Sequence, residues 1–364
     1  MRRNIQSIPI RVAVTGTRGK STVTRMIAAA LKESGFAVLA KTTGSKPVLI
    51  LPDGREEVIK RRGLPTILEQ KRLIQRAADL GAQALVTEMM SIQPECLAVE
   101  SRRLLEPLCL VITNARLDHR EEMGRTKSEI ARSLSAAIRP GATVFVLESE
   151  RQPEFEAAAA RVGAEIIPVK SGPMGSFLDE DMRLAAAVAT HLGVPEAVAF
   201  RGFSEVPADF GSLKAWEAEL GTSPDAWILV SAFAANEPES SRRVLEHLRR
   251  NLASGRRPLV GILSFRADRG DRTRQWLDAH RQGFFSGFRS VYLVGAHVRS
   301  REIRKLTGPK PPLISLPDRA PDSIMEKIVS REPAPSVLIG FGNIGGAGFA
   351  LIEHWQRIGR PHAL

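Results

Sequence analysis

Residues 12–22 combine an apolar run, two glycines and a Gly-Lys-Ser-Thr tetrapeptide, a pattern whose chemistry is phosphate binding. Glycines allow backbone N–H groups to wrap an anion, and a helix N-terminus adds partial positive charge. Lys20 can reach the β and γ phosphates of a nucleotide, and Ser21 can offer its hydroxyl to Mg²⁺. The predicted nucleotide-binding residues in this segment are Gly16, Thr17, Arg18, Gly19, Lys20, Ser21 and Thr22.

The strict phosphate-loop motif places a further glycine at position 14, where this chain has Val14. In the alternative interpretation, Gly16 and Gly19 only form a tight turn between a strand and a helix. We favour phosphate binding, because Gly-Lys-Ser-Thr at the start of a helix is hard to explain otherwise.

Polar residues follow two other apolar runs in the same part of the chain. Glu88 comes after residues 84–87, and Asn114, Asp118 and His119 come after residues 108–113. Ligands of parallel α/β sheets bind at the carboxyl ends of the strands, and Mg²⁺ prefers oxygen ligands. Taken singly, Glu88 could be a solvated carboxylate and His119 a turn residue. Together with the phosphate loop, however, these side chains predict one shared crevice.

The elements that would position these residues alternate between short apolar runs and helical patterns, which predicts an α/β fold with a parallel sheet. Residues 48–59 contain Pro52-Asp53-Gly54 and predict a hairpin at the sheet edge. The other strands are predicted at 10–15, 37–40, 84–87, 108–113, 143–147 and 165–169, and the helices at 20–34, 66–80, 94–105, 127–138, 153–162 and 180–192.

Residues 200–211 include Gly202, Pro207 and Gly211 without a helical or strand period, and they predict a linker. The predicted domains are therefore residues 1–207 and 208–364. In the second domain we predict strands at 226–231, 259–263, 290–294, 313–315 and 336–340, and helices at 238–253, 271–284, 298–307, 322–331 and 344–358.

The composition narrows the class of protein. A chain of 364 residues suits two domains, and 43% hydrophobic with 25% charged residues is typical of globular proteins. No apolar run approaches the about 20 residues of a membrane-spanning helix, and no signal peptide is evident, so we expect a cytoplasmic protein. The two cysteines suit a reducing compartment, and the net charge of +12 indicates an anionic partner.

These motifs resemble the Mur ligase family of ATP-dependent amide ligases, and within it the branch that makes poly-γ-glutamate. The resemblance implies a P-loop-containing, parallel-sheet central domain that binds ATP, followed by a smaller Rossmann-like C-terminal domain. It also implies amide formation through an acyl phosphate, with release of ADP and phosphate. The similarity is carried by residues 15–22, 41–44, 87–91, 113–114, 118–119, 123–124, 233–240, 266–269 and 340–348.

The resemblance assigns roles to the crevice residues. It implies that Lys20 binds the β and γ phosphates, that Ser21 and Glu88 bind one Mg²⁺, and that His119 binds a second. Many relatives carry a carbamylated lysine on the next helix, whereas the only lysine there is Lys127, which leaves the second metal site open.

The same resemblance implies that Asn114 and Asp118 orient the crevice. From the second domain, it implies that Asn236 contacts the nucleotide and that Arg266 and Arg269 bind the carboxylates of an incoming glutamate. Its implied partners are glutamate, the growing poly-γ-glutamate chain and membrane proteins of a synthase complex at the inner face of the cell membrane. The oligomeric state and the preference for D- or L-glutamate stay open.

Three alternatives remain at this point. A folylpolyglutamate ligase or another Mur-type amino-acid ligase would share most of these motifs. A nucleic-acid-stimulated ATPase would suit the charge, but aromatic residues are only 5% of the chain, so stacking surfaces are scarce. Residues 340–345 match G-x-G-x-x-G, which on its own suggests a dinucleotide-binding site. Such a site needs a following strand that ends in an acidic residue, and none is predicted here, so we predict that these glycines allow close helix–sheet packing.

Overall fold

A computed structural model shows two compact units, Met1–Asp209 and Phe210–Leu364. Among the residues that the structure describes, each unit contains one sheet. The structure describes residues 2–44, 47–61, 63, 65–118, 121–170, 177–206, 213–222, 225–235, 237–251, 257–267, 270–295, 311–332 and 335–364.

The first unit is an eight-stranded sheet covered by helices on both faces. Its strand order is β4-β3-β2-β5-β1-β6-β7-β8. Strand β3 pairs antiparallel with both β2 and β4, and all other neighbouring strands pair parallel. The strands are β1 Ile10–Thr15, β2 Val38–Thr42, β3 Val48–Ile50, β4 Glu56–Val58, β5 Ala84–Glu88, β6 Cys109–Ile112, β7 Thr143–Leu147 and β8 Glu165–Val169. The helices are α1 Arg2–Gln6, α2 Lys20–Glu33, α3 Glu69–Asp79, α4 Pro94–Val99, α5 Lys127–Ser135, α6 Pro153–Val162, α7 Phe177–His191 and α8 Glu196–Ser204, with a π-helical segment at Glu100–Leu105 and a 3-10 turn at Glu148–Glu150.

Strand β1 lies between β5 and β6, and this position brings the candidate site together. Because the three strands are parallel, the loop after β1 opens beside the ends of both neighbours. Side chains alternate across the sheet, so Val12 and Val14 pack in the core formed with α2, α7 and α8, whereas Ala13 packs in the core on the other face.

The second unit has a seven-stranded sheet of order β13-β12-β11-β14-β10-β9-β15, in which only β9 and β15 run antiparallel to their neighbours. Its core includes four buried tryptophans, Trp216, Trp227, Trp276 and Trp355. The strands are β9 Lys214–Ala218, β10 Trp227–Ser231, β11 Leu259–Phe265, β12 Phe288–Gly295, β13 Leu313–Ser315, β14 Val337–Gly342 and β15 Arg360–His362. The helices are α9 Pro238–Asn251, α10 Gly270–Arg281, α11 Pro321–Val329 and α12 Phe349–Ile358.

The predicted α/β class is confirmed, including the edge hairpin formed by β3 and β4. The linker predicted at 200–211 is wrong in its first part, because helix α8 continues to Ser204. Gly202 sits inside that helix, where a Cβ would lie 2.7 Å from the backbone oxygen of Ala29. The glycine therefore reflects close packing against α2 and not a break in the helix.

Two further predictions differ from the structure. The single helix predicted at 94–105 changes to π-helical geometry at Glu100. The helix predicted at 344–358 begins at Phe349, because Gly345 and Gly346 have non-helical backbone angles. Strands β9 and β15 were not predicted, and the helix predicted at 298–307 lies outside the described residues.

In the ranges described above, none of the helices is long and apolar enough to cross a membrane. Cys96 and Cys109 are both free cysteines.

Candidate active site

The loop between β1 and α2 has a backbone conformation that requires its glycines. Gly16 has φ +122° and Gly19 has φ +78°, values that other residues rarely adopt. A Cβ on Gly16 would also lie 2.1 Å from the Thr113 hydroxyl oxygen at the end of β6. The loop therefore packs directly on the neighbouring strand end and leads straight into helix α2, as a phosphate-binding loop does.

Asn114 holds this loop through both its backbone and its side chain. Its carbonyl oxygen accepts from the Thr17 N–H at 3.1 Å. Its Oδ1 accepts from the Thr17 hydroxyl at 2.6 Å and from the Arg18 N–H at 3.1 Å, while Nδ2 donates to the Arg18 carbonyl. Since Asn114 is almost fully buried, these bonds fix the loop's shape before any ligand binds.

Lys20 starts helix α2 and folds back over the loop. Its Nζ donates to the Gly16 carbonyl oxygen at 2.8 Å. Burial lowers the Lys20 pKa, and the nearby Glu88 carboxylate opposes this shift by favouring the ammonium form. The Lys20 Nζ thus lies against the backbone of this loop, where it could contact an anion that the loop binds.

Ser21 and Glu88 form the second pair of the crevice. The Ser21 hydroxyl donates to Glu88 Oε2 at 2.7 Å, and the Thr43 N–H donates to the same oxygen at 2.7 Å. Gly44 leaves room for this contact, since a Cβ there would lie 2.6 Å from the Ser21 oxygen. Glu88 is 3% exposed, so its carboxylate is held in one place.

The Ser21–Glu88 pair fits a magnesium ion by its donor chemistry. It supplies a hydroxyl and a carboxylate oxygen beside the phosphate loop, which are the hard ligands that Mg²⁺ takes together with nucleotide phosphates and water. Within the described ranges, no group of three or more His, Cys, Asp or Glu side chains is arranged to hold a metal ion.

Asp118 lies at the same edge, where it forms an ion pair with Arg18. The Arg18 Nη2 and Asp118 Oδ2 atoms are 3.0 Å apart, and Asp118 is 5% exposed. This pair attaches the middle of the phosphate loop to the segment that follows β6. Thr22 is the third residue of helix α2, at the same end of the helix.

Arg116 was not predicted from the sequence, and it connects the loop after β1 with the 3-10 turn at Glu148–Glu150 and with helix α7. Its backbone N–H donates to the Thr17 hydroxyl oxygen at 3.0 Å. Its guanidinium bonds to Glu150 at 3.2 Å and to Glu180 on α7 at 3.1 Å. A charged residue between the predicted strand and the Asp118 position was the only signal available in the sequence.

Asp181 on α7 was also missed. A Cβ on Gly19 would lie 2.5 Å from Asp181 Oδ1, so this carboxyl group lies directly against the phosphate loop. Burial raises the Asp181 pKa well above its ordinary value, although Arg116 favours the charged form.

The other predicted site residues are His119, Asn236, Arg266 and Arg269. His119, Asn236 and Arg269 lie outside the described residues. Arg266 follows β11 in the second unit, and its Nη1 lies against Gly345, where a Cβ would be 2.8 Å away. In the same unit Gly340 packs on the Phe233 ring, which supports the packing interpretation of the glycine-rich segment.

Two protein-family models match the chain, one in each unit. Residues 14–167 match the Mur ligase middle domain. Residues 218–358 match the C-terminal domain of the poly-gamma-glutamate synthase CapB.

Two curated relatives extend the similarity across the chain. The PGA synthase CapB of Bacillus subtilis (strain 168) is 31% identical over 369 residues, covering 96% of this chain and 91% of that protein. The capsule biosynthesis protein CapB of Bacillus anthracis is 33% identical over 285 residues, covering 75% of this chain and 61% of that protein. The match therefore spans less than two thirds of the B. anthracis protein.

Solved structures share the fold. MurF from Acinetobacter baumannii has a TM-score of 0.66 at 16% identity, covering 96% of this chain and 78% of that one. A folylpolyglutamate synthase/dihydrofolate synthase from Yersinia pestis, complexed with AMPPNP and Mn ion, has a TM-score of 0.65 at 14% identity. The match covers 97% of this chain and 89% of that one. With a Mur-type middle domain, a matching C-terminal domain and 31% identity to a relative along nearly its whole length, the chain belongs to the CapB family of poly-γ-glutamate synthases.

Proposed function

We propose that this protein is an ATP-dependent ligase that joins glutamates through γ-amide bonds. The observation that carries the proposal is the Ser21–Glu88 pair beside a phosphate loop closed by Lys20. The chain is 31% identical to the PGA synthase CapB over 96% of its length, which supports glutamate as the substrate of this site.

The first half-reaction uses the phosphate loop. The γ-carboxylate of one glutamate attacks the γ phosphorus of ATP, the bond from that phosphorus to the β–γ bridging oxygen breaks, and ADP leaves. Lys20 neutralises charge that develops on the phosphate oxygens, and the loop N–H groups orient them. Asn114 contributes by keeping those N–H groups in place before the nucleotide arrives.

A magnesium ion held by Ser21 and Glu88 would offset the negative charge of the transferring phosphoryl group. Both residues would hold it through side-chain oxygens that already lie together. His119 is proposed as the ligand of a second ion.

In the second half-reaction the amine of another glutamate attacks the acyl phosphate. The new C–N bond forms, phosphate leaves with the C–O bond electrons, and the amine gives up a proton. We propose that Arg266 and Arg269 hold the carboxylates of this glutamate by paired hydrogen bonds, and that Asn236 contacts the nucleotide. The exposure of Arg266 at the carboxyl end of β11 supports its part in this role.

The proposal extends to the setting of the enzyme. The growing chain is a polyanion, which suits a protein with a net charge of +12 without any role for nucleic acid. We also propose that it works at the inner face of the cell membrane beside membrane-protein partners. A folate-directed ligase is less well supported, because the folylpolyglutamate synthases share only 14–16% identity with this chain.

The test supplies purified protein with ATP, Mg²⁺ and glutamate, and follows ADP release together with γ-linked product. We expect glutamate to stimulate ADP release. Lys20→Ala and Glu88→Ala should each abolish product, because the first removes the positive charge that neutralises the phosphate oxygens and the second removes the proposed metal ligand. The matched control is Lys60→Ala on the hairpin side of the unit, which should leave the rate unchanged.

Three results would count against the proposal. ADP release that ignores glutamate would exclude the acyl-phosphate route. Product formation by Glu88→Ala at the wild-type rate would exclude the assigned site. Stimulation of ATP hydrolysis by DNA, with none by glutamate, would favour the nucleic-acid alternative.

A further inference from the structure

A chain of buried polar side chains runs behind the strand ends that carry Glu88. Lys41 on β2, Gln70 on α3 and Glu100 are each at most 1% exposed. Lys41 Nζ donates to Gln70 Oε1 at 3.3 Å, and Gln70 Nε2 donates to Glu100 Oε1. None of these three residues has a role in the mechanism above.

Glu100 ends this chain on the backbone that follows β5. Its Oε1 accepts from the Met90 N–H at 3.2 Å, and its Oε2 accepts from the Ser91 N–H at 3.0 Å. The preceding amide, Met89, still donates to the Val14 carbonyl oxygen in the sheet at 2.8 Å. The sheet thus accepts the backbone N–H of Met89, and the Glu100 carboxylate accepts those of the next two residues.

The opposite end of the chain reaches the second segment that touches Glu88. Lys41 is paired in register with Thr87, and two residues later the Thr43 N–H donates to Glu88 Oε2. Lys41 Nζ is also 3.1 Å from Glu69 Oε2, which Arg61 pairs in turn. The network therefore connects both backbone segments that fix the position of the Glu88 carboxylate.

The helix geometry at Glu100 is a separate sign that its position matters. Helix α4 ends at Val99 and the next turn, Glu100–Leu105, is π-helical. A π-helical turn accommodates one extra residue at a cost in stability and is frequent at functional sites. Here it begins at the residue whose carboxylate turns toward the β5 loop.

Burying a lysine and a glutamate costs free energy that apolar side chains would not. Burial lowers the Lys41 pKa, and the neighbouring Glu69 and Glu100 carboxylates favour its charged form. In some proteins such groups are retained because they specify a geometry that apolar packing does not. Here that geometry is the position of two backbone segments next to Glu88, the end of β2 and the loop that follows β5.

We propose that Glu100 is a positioning residue for metal-nucleotide binding: through Met90 and Ser91, and through Gln70 and Lys41, it sets the Glu88 carboxylate against Ser21. The inference rests on the proposed function, because it assumes that Glu88 is a metal ligand.

The test measures binding and not turnover. Calorimetry gives the dissociation constant of a non-hydrolysable ATP analogue for the wild type, first with Mn²⁺ and then with EDTA, and the ratio of the two constants reports the metal's contribution. In Glu100→Gln we expect that contribution to fall about 10-fold, as for other residues that orient metal ligands. Affinity in EDTA should change less than about twofold, since Asn114 still holds the phosphate loop.

Two further variants separate positioning from a general loss of stability. Gln70→Leu cuts the link to Lys41 but leaves the Met90 and Ser91 bonds, and should lower the metal's contribution about threefold. Glu332→Gln removes a buried carboxylate bonded to Ser290 and Tyr292 in the second unit and should leave that contribution unchanged. A merely structural role would lower the melting temperature and weaken both affinities alike.

An unchanged metal contribution in Glu100→Gln overturns the inference. If Glu100→Gln does not fold, Gln70→Leu decides, and an unchanged contribution there overturns it equally. If the wild type itself binds the analogue no better with Mn²⁺ than with EDTA, the proposed metal-nucleotide site is wrong. That result is distinguishable from failure of the inference alone.

Discussion

The Ser21 hydroxyl donates to Glu88 Oε2 across 2.7 Å, although 67 residues separate the two in sequence. The contact exists because β5 runs parallel to β1, with Val14 in register with Glu88, so that the strand's last residue faces the first turn of helix α2. The sheet thus assembles the candidate metal ligands before any metal or nucleotide is bound.

Glu88→Gln tests whether the charge of this pair is needed. The amide keeps an oxygen that can accept from Ser21 and Thr43, but it removes the negative charge that a divalent cation requires. We expect a rate loss of about 10- to 100-fold, corresponding to the 1.5–3 kcal/mol typical of a bond to a charged group. Titration of the rate with Mg²⁺ should show a higher half-saturation concentration.

Ser21→Ala is the paired variant, because it removes a neutral ligand from the same site. We expect a smaller loss than for Glu88→Gln, since the charge remains. Equal Mg²⁺ titrations for the wild type and both variants would contradict the assignment of this pair as metal ligands.

Asn114→Ala tests whether the phosphate loop is held in advance. The change leaves the Thr17 hydroxyl and the Arg18 N–H without their acceptor, which costs about 1–3 kcal/mol when the groups are buried. We expect a lower melting temperature and a nucleotide affinity weakened by about 5- to 100-fold, measured by calorimetry.

The matched control is Asn4→Ala, which removes an exposed hydrogen bond to Gln75. We expect it to change the free energy of unfolding by less than about 0.5 kcal/mol and to leave the nucleotide affinity unaltered. An Asn114→Ala protein that binds nucleotide as tightly as the wild type would show that the loop keeps its shape without this side chain.

Cys109 should be unreactive in the folded protein, whereas the half-buried Cys96 should react. Burial raises the pKa of the Cys109 thiol to about 11, so only about one molecule in 1000 carries the thiolate at pH 8. A colorimetric thiol reagent should therefore titrate one cysteine per folded chain and two in denaturant. Two fast-reacting thiols in the folded state would contradict the burial of β6.

The same shift gives a pH dependence of stability with a defined sign. Above pH 9.0 the unfolded chain loses the Cys109 proton while the folded chain keeps it up to about pH 11. The free energy of unfolding should therefore fall over this interval, and less steeply in Cys109→Ala. Equal slopes for the two proteins in urea unfolding series would show that Cys109 does not contribute.

The strand, turn and helix start at residues 12–22 were predictable, because an apolar run, two glycines and a lysine at a helix start are all local features. Phosphate binding by this turn stays a prediction. The positions of Glu88 and Asn114 were predictable for a related reason. Each follows an apolar run, and parallel strands end at one edge, so their order in the sheet did not need to be known.

Glu100 and Gly202 show what the sequence could not reveal. The helical pattern at 94–105 predicts a regular helix, since a π-helical turn adds one residue without changing the residue types around it. In the sequence, Gly202 suggests a helix break. Its actual reason is the backbone of Ala29, which excludes a side chain there and belongs to a distant segment of the chain. Both depend on tertiary contacts, which local periodicity does not encode.

Gly202→Ala tests that last contact. Alanine inside a helix is normally more stable than glycine by about 1 kcal/mol. At Gly202, however, the added Cβ would lie 2.7 Å from the Ala29 oxygen and 3.0 Å from the Ala30 Cα, so helices α2 and α8 must move apart. Since such overpacking costs about 1–3 kcal/mol, we expect the variant to be destabilised in urea unfolding. Gly270→Ala, where a Cβ meets nothing within 4 Å, should be neutral or stabilising. A Gly202→Ala protein as stable as Gly270→Ala would mean that α8 does not pack against α2 at this distance.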